Sequence, residues 1–242
     1  MNKDNNSKKD EVVFRKIAHI ETDFPSKFGI PRQSGLTSTR GRIIFEKKYR
    51  NADAVRGIEE YSHLWILWEF SETHRDRWNP TVRPPRLGGN QRVGVFATRS
   101  PFRPNPIGLS CVRLLEVQMS EKEGPVLVVT GADLMDGTPI LDIKPYLPYV
   151  DSHPEAGGGF AEERKEYELE VLIPEEFENA FDKDRMNVLR QVLAQDPRPS
   201  YQDNSERVYG MEYAGNDVKF KVEKNRLTVC DIQPRSKINN NY

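Results

Sequence analysis

No run of apolar residues in this chain approaches the roughly 18 to 20 needed for a membrane span. The N-terminal stretch MNKDNNSKKDE has no apolar core of the kind a secretory signal carries, so residues 1–11 are expected to form a disordered tail. Cysteine is scarce, with two in 242 residues. Cys111 and Cys230 lie far apart, each in an apolar, strand-like run. That excludes a disulfide framework and predicts a reduced, cytoplasmic protein with buried thiols. The four histidines (His19, His63, His74, His153) show no ligand spacing with the cysteines, so no metal site is expected. Glycine fingerprints are missing too. No G-x-G-x-x-G opens a helix after a strand, and no G-x-x-x-x-G-K-S/T occurs. The triplet Gly157–Gly159 sits in a linker context, and there is no G-x-S-x-G elbow. A Rossmann-type cofactor fold is therefore not expected.

What the chain does have is arginine in one place. The formal net charge is −1, which argues against indiscriminate nucleic-acid binding but averages over the whole length. Residues 75 to 103 hold Arg75, Arg77, Arg83, Arg86, Arg92, Arg99 and Arg103 against a single acid, Asp76, and no lysine. Arginine without lysine favours forked recognition of phosphate or carboxylate over plain solubility. Within this window VFATRSPFRPNPIGLS, residues 95–110, joins two apolar runs through three prolines. Each proline fixes its own φ, removes a donor and holds the preceding residue extended. The connection is stiff, and a stiff loop loses less entropy on gripping a ligand.

Hydrophobic alternation marks strands at 12–20, 42–49, 62–70, 92–98, 108–119 and 125–134, with DGTPILDIKPYLPYV (136–150) beginning in a tight turn and continuing extended. Residues 51–61 fit a short helix capped by Asn51 or Asp53. Closely spaced strands with turn signals and few helical periods predict a closed or nearly closed β-barrel over 12–150. Residues 151–166 read as a linker. Beyond it YELEVLI (167–173) alternates as a strand, and Pro174 opens a helical stretch with acids in its first turn. A three-stranded meander follows, turning near Gly215–Asn216 and Lys224–Asn225. The fold class is mainly β: a β-barrel catalytic domain followed by a small α+β domain at 167–234, with a tail at 235–242.

Three motifs stand out: P-R-Q at 31–33, T-R-S-P-F-R-P-N-P-I-G at 98–108, and D-G-T-P-x-L-D-I-K-P-Y at 136–146. In this order, joined by DAVRGIEEYSHLWIL, they resemble the TsaA/TrmO-like family over roughly residues 12–150. The stretch 166–232 resembles the extra C-terminal domain of the longer bacterial members. The resemblance implies a β-barrel, S-adenosyl-L-methionine as methyl donor, and methylation of N6 of threonylcarbamoyl-adenosine next to the tRNA anticodon. It also implies a homodimer with each donor site near the subunit boundary. The family's donor-binding positions fall on Pro31, Arg32, Gln33, Ser71, Glu72, Arg99, Leu109, Asp136, Gly137, Thr138, Pro139 and Ile140. At Ser71–Glu72 this chain departs from the family's His-Gln.

Chemistry is consistent with these positions. Arg32 or Arg99 would hold the donor's carboxylate. Asp136 would accept from its ammonium or ribose hydroxyls, and backbone beside Leu109 and Ile140 would read the adenine edge. Transfer to an exocyclic adenine amine is mostly positioning, helped by acceptors for the amine and by a base. The catalytic candidates are Asn105 with its carbonyl, Asp142, Lys144 as a neutraliser of phosphate or carboxylate, and Tyr146 as a stacking platform alongside Phe102. Plainer readings stand beside these: an Asp142–Lys144 ion pair, a packed Tyr146, an ordinary Asp-Gly turn, and Trp65 and Trp68 as core or dimer interface. Lys219, Lys221, Lys224 and Arg226 form either a tRNA contact or a solvated face. Two other functions fit the same residues: a non-catalytic RNA-binding barrel with the donor as structural or sensory ligand, and a same-fold methyltransferase acting on a small molecule.

Overall fold

The structure is a computed structural model and describes residues 11–73, 78–84, 91–164, 167–198 and 204–235. Most of the expected tails, and Arg75, Arg77 and Arg86 of the arginine window, lie outside the described residues. Strands β1 (Ala18–Thr22), β2 (Arg40–Phe45) and β3 (His63–Glu69) come first. The short β4 (Thr81–Val82) and β5 (Val93–Gly94) pair with each other. Then follow β6 (Ile107–Ser120), β7 (Gly124–Thr130), β8 (Pro139–Pro145) and a one-turn helix α1 (Pro148–Asp151). The C-terminal part holds β9 (Glu170–Leu172), helix α2 (Lys183–Ala194), β10 (Tyr209–Tyr213), β11 (Asn216–Glu223) and β12 (Arg226–Pro234).

Six strands close a barrel in the order β1-β2-β7-β6-β3-β8, with β8 returning to β1 through Ala18–Ile140 and His19–Pro139. Every neighbouring pair is antiparallel. One consequence governs the site. Strands β1, β7 and β3 all run the same way, so the connections that follow them leave from one end of the barrel. Those connections are 23–39, 70–106 and 131–138, and each carries one of the three motifs.

Alternation explains the core. On β3 Leu64, Ile66 and Trp68 point inward while His63, Trp65, Leu67 and Glu69 do not. They meet Ala18, Ile20, Ile43, Val112, Leu127, Val129 and Ile140 from the other strands, each large side chain contributing about 1.5–3 kcal/mol on burial. Irregularities at Leu67/Trp68 and Leu114/Glu116 let the long strands bend around the barrel.

The C-terminal unit is a sheet ordered β10-β11-β12-β9, with α2 on its apolar face. Asp182 caps α2 by accepting from Arg185 N–H at 2.9 Å. Met186, Leu189, Val192 and Leu193 of the helix pack with Met211, Val218, Phe220, Leu227 and Val229 of the sheet. Phe24 joins this second core although it follows β1 of the barrel. It is 0% exposed, and its ring centroid lies 5.2 Å from that of Tyr213.

Several expectations need correction. The first strand starts at Ala18, not at residue 12. The stretch 92–98 is β5 followed by a 3-10 turn at Val95–Ala97. The 51–61 helix resolves into 3-10 turns, the first capped by Asn51, whose side chain accepts from Asp53 N–H at 2.9 Å. Strand β9 pairs in parallel with β12. The thiols are not both buried: Cys111 is half-buried and Cys230 exposed. The ladder steps from Lys219–Asp231 to Phe220–Val229, leaving Cys230 as the extra bulge residue, pushed outward.

Candidate functional site

A cavity of about 680 Å³ opens at the end of the barrel where the three motif-bearing connections emerge. Its size suits a nucleoside-sized ligand. The 23–39 connection supplies Pro31, Arg32 and Gln33; the long 70–106 connection supplies Ser71, Glu72, Thr98, Arg99, Arg103 and Asn105. From the strand start comes Leu109, and from the third connection Asp133, Met135 and Thr138.

The floor is Trp68. Its indole N–H donates to Ser110 Oγ at 2.9 Å, and Ser110 Oγ donates to Asp133 Oδ1 at 2.5 Å. Ser110 is fully buried and Trp68 is 8% exposed. Gly108 lies opposite Trp68 in the ladder, and a Cβ there would stand 2.2 Å from the indole. Only glycine leaves room for the ring. Phe70 tilts against Trp68 with centroids 4.2 Å apart.

Asp133 is the half-buried carboxyl of the site. Burial pushes its carboxyl above the usual carboxylate range, opposed by hydrogen bonds from Ser110 and the Ser34 backbone and by the nearby Arg99 charge. Arg99 donates to Gln33 Oε1, and Gln33 Nε2 donates to the Arg32 carbonyl at 2.6 Å. The first and second motifs therefore touch directly. Arg103 braces its own loop, donating to the carbonyls of Thr98 at 3.1 Å and Ser100 at 3.4 Å. The Asn105 carbonyl, a candidate acceptor, already receives Ile107 N–H at 2.8 Å. Lys27 Nζ donates to the Glu72 carbonyl at 2.5 Å and ties the first connection to Ser71–Glu72.

Of the donor-binding candidates, Pro31, Arg32, Gln33, Ser71, Glu72, Arg99, Leu109 and Thr138 line this cavity. Asp136, Gly137, Pro139 and Ile140 do not line it. The Asp136 carboxylate accepts Thr22 N–H at 2.9 Å and Gly137 N–H reaches the Ile20 carbonyl at 2.8 Å, so this turn clamps β8 to β1. The Ile140 side chain is fully buried in the barrel core. Of the catalytic candidates, Asn105 alone lines the cavity. Strand β8 carries the others away from it. Asp142 lies opposite Leu67 and Lys144 opposite Trp65, while Tyr146 N–H bonds the His63 carbonyl at the far end of β3. At about 3.3 Å per residue, Tyr146 is some two dozen ångströms down the strand from Pro139. Asp142 and Lys144 form an ion pair at 2.8 Å, and Tyr146 packs on Trp65. In the C-terminal unit Lys219 pairs with Asp231 at 3.0 Å and Arg226 with Glu170 at 3.0 Å, as on a solvated face.

Sequence reasoning did not assign Asp133, Trp68 or Gly108 to the site. Asp133 was overshadowed by the Asp-Gly turn three residues on. An alternating aromatic strand gives no sign that one inward ring also faces a cavity.

Among the described residues no cluster of potential metal ligands occurs, and no helix is long and apolar enough to cross a membrane. Residues 19–152 match the tRNA-methyltransferase O N-terminal domain, and residues 166–235 match the TrmO C-terminal domain. The chain is 44% identical over 231 residues to the tRNA (adenine(37)-N6)-methyltransferase of Escherichia coli (strain K12), covering 92% of this chain and 98% of that protein. It is 50% identical over 166 residues to the Eikenella corrodens protein of the same name, covering 68% and 92%. The crystal structure of TrmO from Pseudomonas aeruginosa superposes with a TM-score of 0.73 at 31% identity, over 92% of this chain and 99% of that one. With both its barrel and its C-terminal unit matched, the chain belongs to the tRNA-methyltransferase O family.

Proposed function

We propose that this chain is an S-adenosylmethionine-dependent tRNA methyltransferase acting on N6 of threonylcarbamoyl-adenosine, at the adenine next to the anticodon. The observation that carries the reading is the meeting of residues from all three motifs (Pro31, Arg32 and Gln33; Thr98, Arg99 and Asn105; and Thr138) in one cavity at one barrel end. Relatives named tRNA (adenine(37)-N6)-methyltransferase support the substrate. The partner is tRNA and the location cytoplasmic, where that substrate is found.

The lining suits the donor. Arg99, fixed by Gln33, is placed for a carboxylate. Asp133 offers negative charge to a cation in a site where low dielectric strengthens the attraction. Trp68, Phe70, Ile107 and Leu109 give apolar and aromatic surface for an adenine ring. S-adenosylmethionine, when bound, supplies an electrophilic methyl group on a sulfonium. The chain's own work is to orient and to handle a proton. The lone pair of an adenine amine is delocalised into the ring, so Asn105 would accept from an amine N–H and help the nitrogen pyramidalise. The proline-braced 98–106 segment limits the entropy lost in holding this geometry.

Asp142, Lys144 and Tyr146 do not reach the cavity of their own chain. In a homodimer the outer face of β8 would present them to the neighbour's cavity, with Lys144 meeting a phosphate or the threonyl carboxylate and Tyr146 stacking on a base. The decisive experiment incubates the chain with labelled donor and tRNA lacking the modification, then weighs the digested nucleosides. Methyl on threonylcarbamoyl-adenosine is expected. Donor binding without any methylated nucleoside would instead mark a non-catalytic RNA-binding barrel, and turnover indifferent to tRNA would mark a small-molecule enzyme.

A further inference from the structure

The segment that carries Pro31, Arg32 and Gln33 is held from outside the barrel. Its root is the buried Phe24, with Phe28 and Ile30 also packed on the C-terminal core. Gly29, at φ 95°, lets the backbone pass so close to Met211 that a Cβ would stand 2.5 Å from Met211 Cε. Helix α2 and the two residues that follow it then grip the segment in three places. Gln191 Oε1 accepts Ser38 N–H at 2.6 Å. Gln195 spans the segment, accepting Arg32 N–H at 3.4 Å and donating to the Leu36 carbonyl at 3.3 Å. Asp196 offers its carbonyl to the Arg32 guanidinium.

Asp196 is built for that task. It ends α2 with φ 53°, a left-handed geometry that turns its carbonyl off the helix axis. Its carboxylate is pinned by Arg198 at 2.8 and 2.9 Å and by the Tyr167 hydroxyl at 3.2 Å. Both side chains of the ion pair are nearly enclosed, at 9% and 11% exposure. On the cavity side the same segment continues from Arg32 to Gln33 to Arg99. A continuous line of contacts thus runs from the end of α2 to the cavity wall.

We infer that the C-terminal unit is a positioning element of the cavity: Gln191, Gln195 and Asp196 fix residues 31–38 and thereby set affinity for the methyl donor without touching it. The affinity part rests on the donor reading of the cavity given above. A connection as long as 23–39 is otherwise free to sample many conformations, and a binding site drawn from such an ensemble loses apparent affinity by the fraction of time it is misformed.

The test uses the full chain carrying Gln191→Ala together with Gln195→Ala, two half-buried positions on the helix surface. Removing these bonds should raise Kd and KM for S-adenosylmethionine roughly tenfold, with kcat at saturating donor within about twofold, since no reacting group is altered. Amide hydrogen exchange over 31–38 should accelerate while the barrel strands and the C-terminal sheet keep their protection. Gln191→Glu alone keeps the acceptor for Ser38 N–H and should retain wild-type affinity. Unchanged exchange over 31–38 in the double variant, or a fall in kcat with KM unaltered, overturns the inference. Failure of the wild-type chain to bind the donor counts against the proposed function, and the exchange measurement still decides whether α2 positions the segment.

Discussion

The tightest contact in the site yields the sharpest prediction. Gly108→Ala adds one methyl group where an indole already sits, 2.2 Å from Trp68 Cε2 and 2.4 Å from Cζ2. The ring has little room to retreat, since it is 8% exposed, hydrogen-bonded to Ser110 and packed on Phe70. Overpacking of this kind costs about 1–3 kcal/mol. If the indole swings enough to lose Ser110, about 0.5–1.5 kcal/mol more is forfeited. Restricting the unfolded chain returns about 0.4–1 kcal/mol. Taking the middle of each range, the net destabilisation is about 2 kcal/mol. At roughly 2–4 °C per kcal/mol for a chain of this size, Tm should fall by about 4–8 °C in differential scanning calorimetry. Donor affinity should fall with it, because the displaced ring is the cavity floor. The cause is checked by a double variant. Trp68→Leu removes the colliding ring, so Gly108→Ala should be nearly silent in that background, a coupling well outside additive behaviour. A Gly108→Ala protein that melts and binds like wild type, or effects that simply add, would refute the packing argument.

Other outcomes follow from neighbouring groups. Arg99→Ala should fold normally, since its bond to Gln33 is exposed, yet lose roughly 10- to 100-fold in donor affinity by calorimetry, as expected for a hydrogen bond to a charged group. Asp133 should make stability pH-dependent. Because burial raises its pKa in the folded chain, the folded state holds the proton more tightly. Stability is therefore lost as pH rises from the ordinary aspartate value of about 3.9 through the raised one. Asp133→Asn removes that loss, so the stability of the variant relative to wild type should climb from pH 4 and level off towards neutrality in urea titrations. A flat difference would put the charge elsewhere. Finally, at donor concentrations well below the weakened Kd, Arg99→Ala and Lys144→Ala chains should each be nearly inactive alone, but when mixed and re-equilibrated should recover about a quarter of wild-type methylation, through heterodimers with one intact site. No recovery would remove Lys144 from the neighbour's cavity.

Much of the barrel is readable in residue order because its strands alternate cleanly. Leu64, Ile66 and Trp68 announce an inward face, and prolines and glycines mark the connections. The three motifs pointed to one pocket because residues such as Arg99 and Gln33 are chemically conspicuous. What stayed hidden depends on direction and distance. Lys144 and Tyr146 belong to the third motif itself, yet β8 leads them away from the cavity, and strand direction is fixed by pairing with β1 and β3. Parallel pairing of β9 with β12 joins residues some 56 apart, beyond any local signal. Phe24 reads as one more loop aromatic, since no periodicity tells which of two cores will bury it. Cys230 reads as buried because a bulge is invisible in an apolar run.

That placement of Phe24 also sets a timetable. The ribosome makes the 23–39 segment early, but the helix and sheet that receive it emerge about 150 to 200 residues later, roughly 10–40 s at ordinary elongation speed. During that interval the nascent barrel carries an unburied phenylalanine beside a half-made pocket, so competence to hold a small molecule arrives only once the C-terminal sheet has been made.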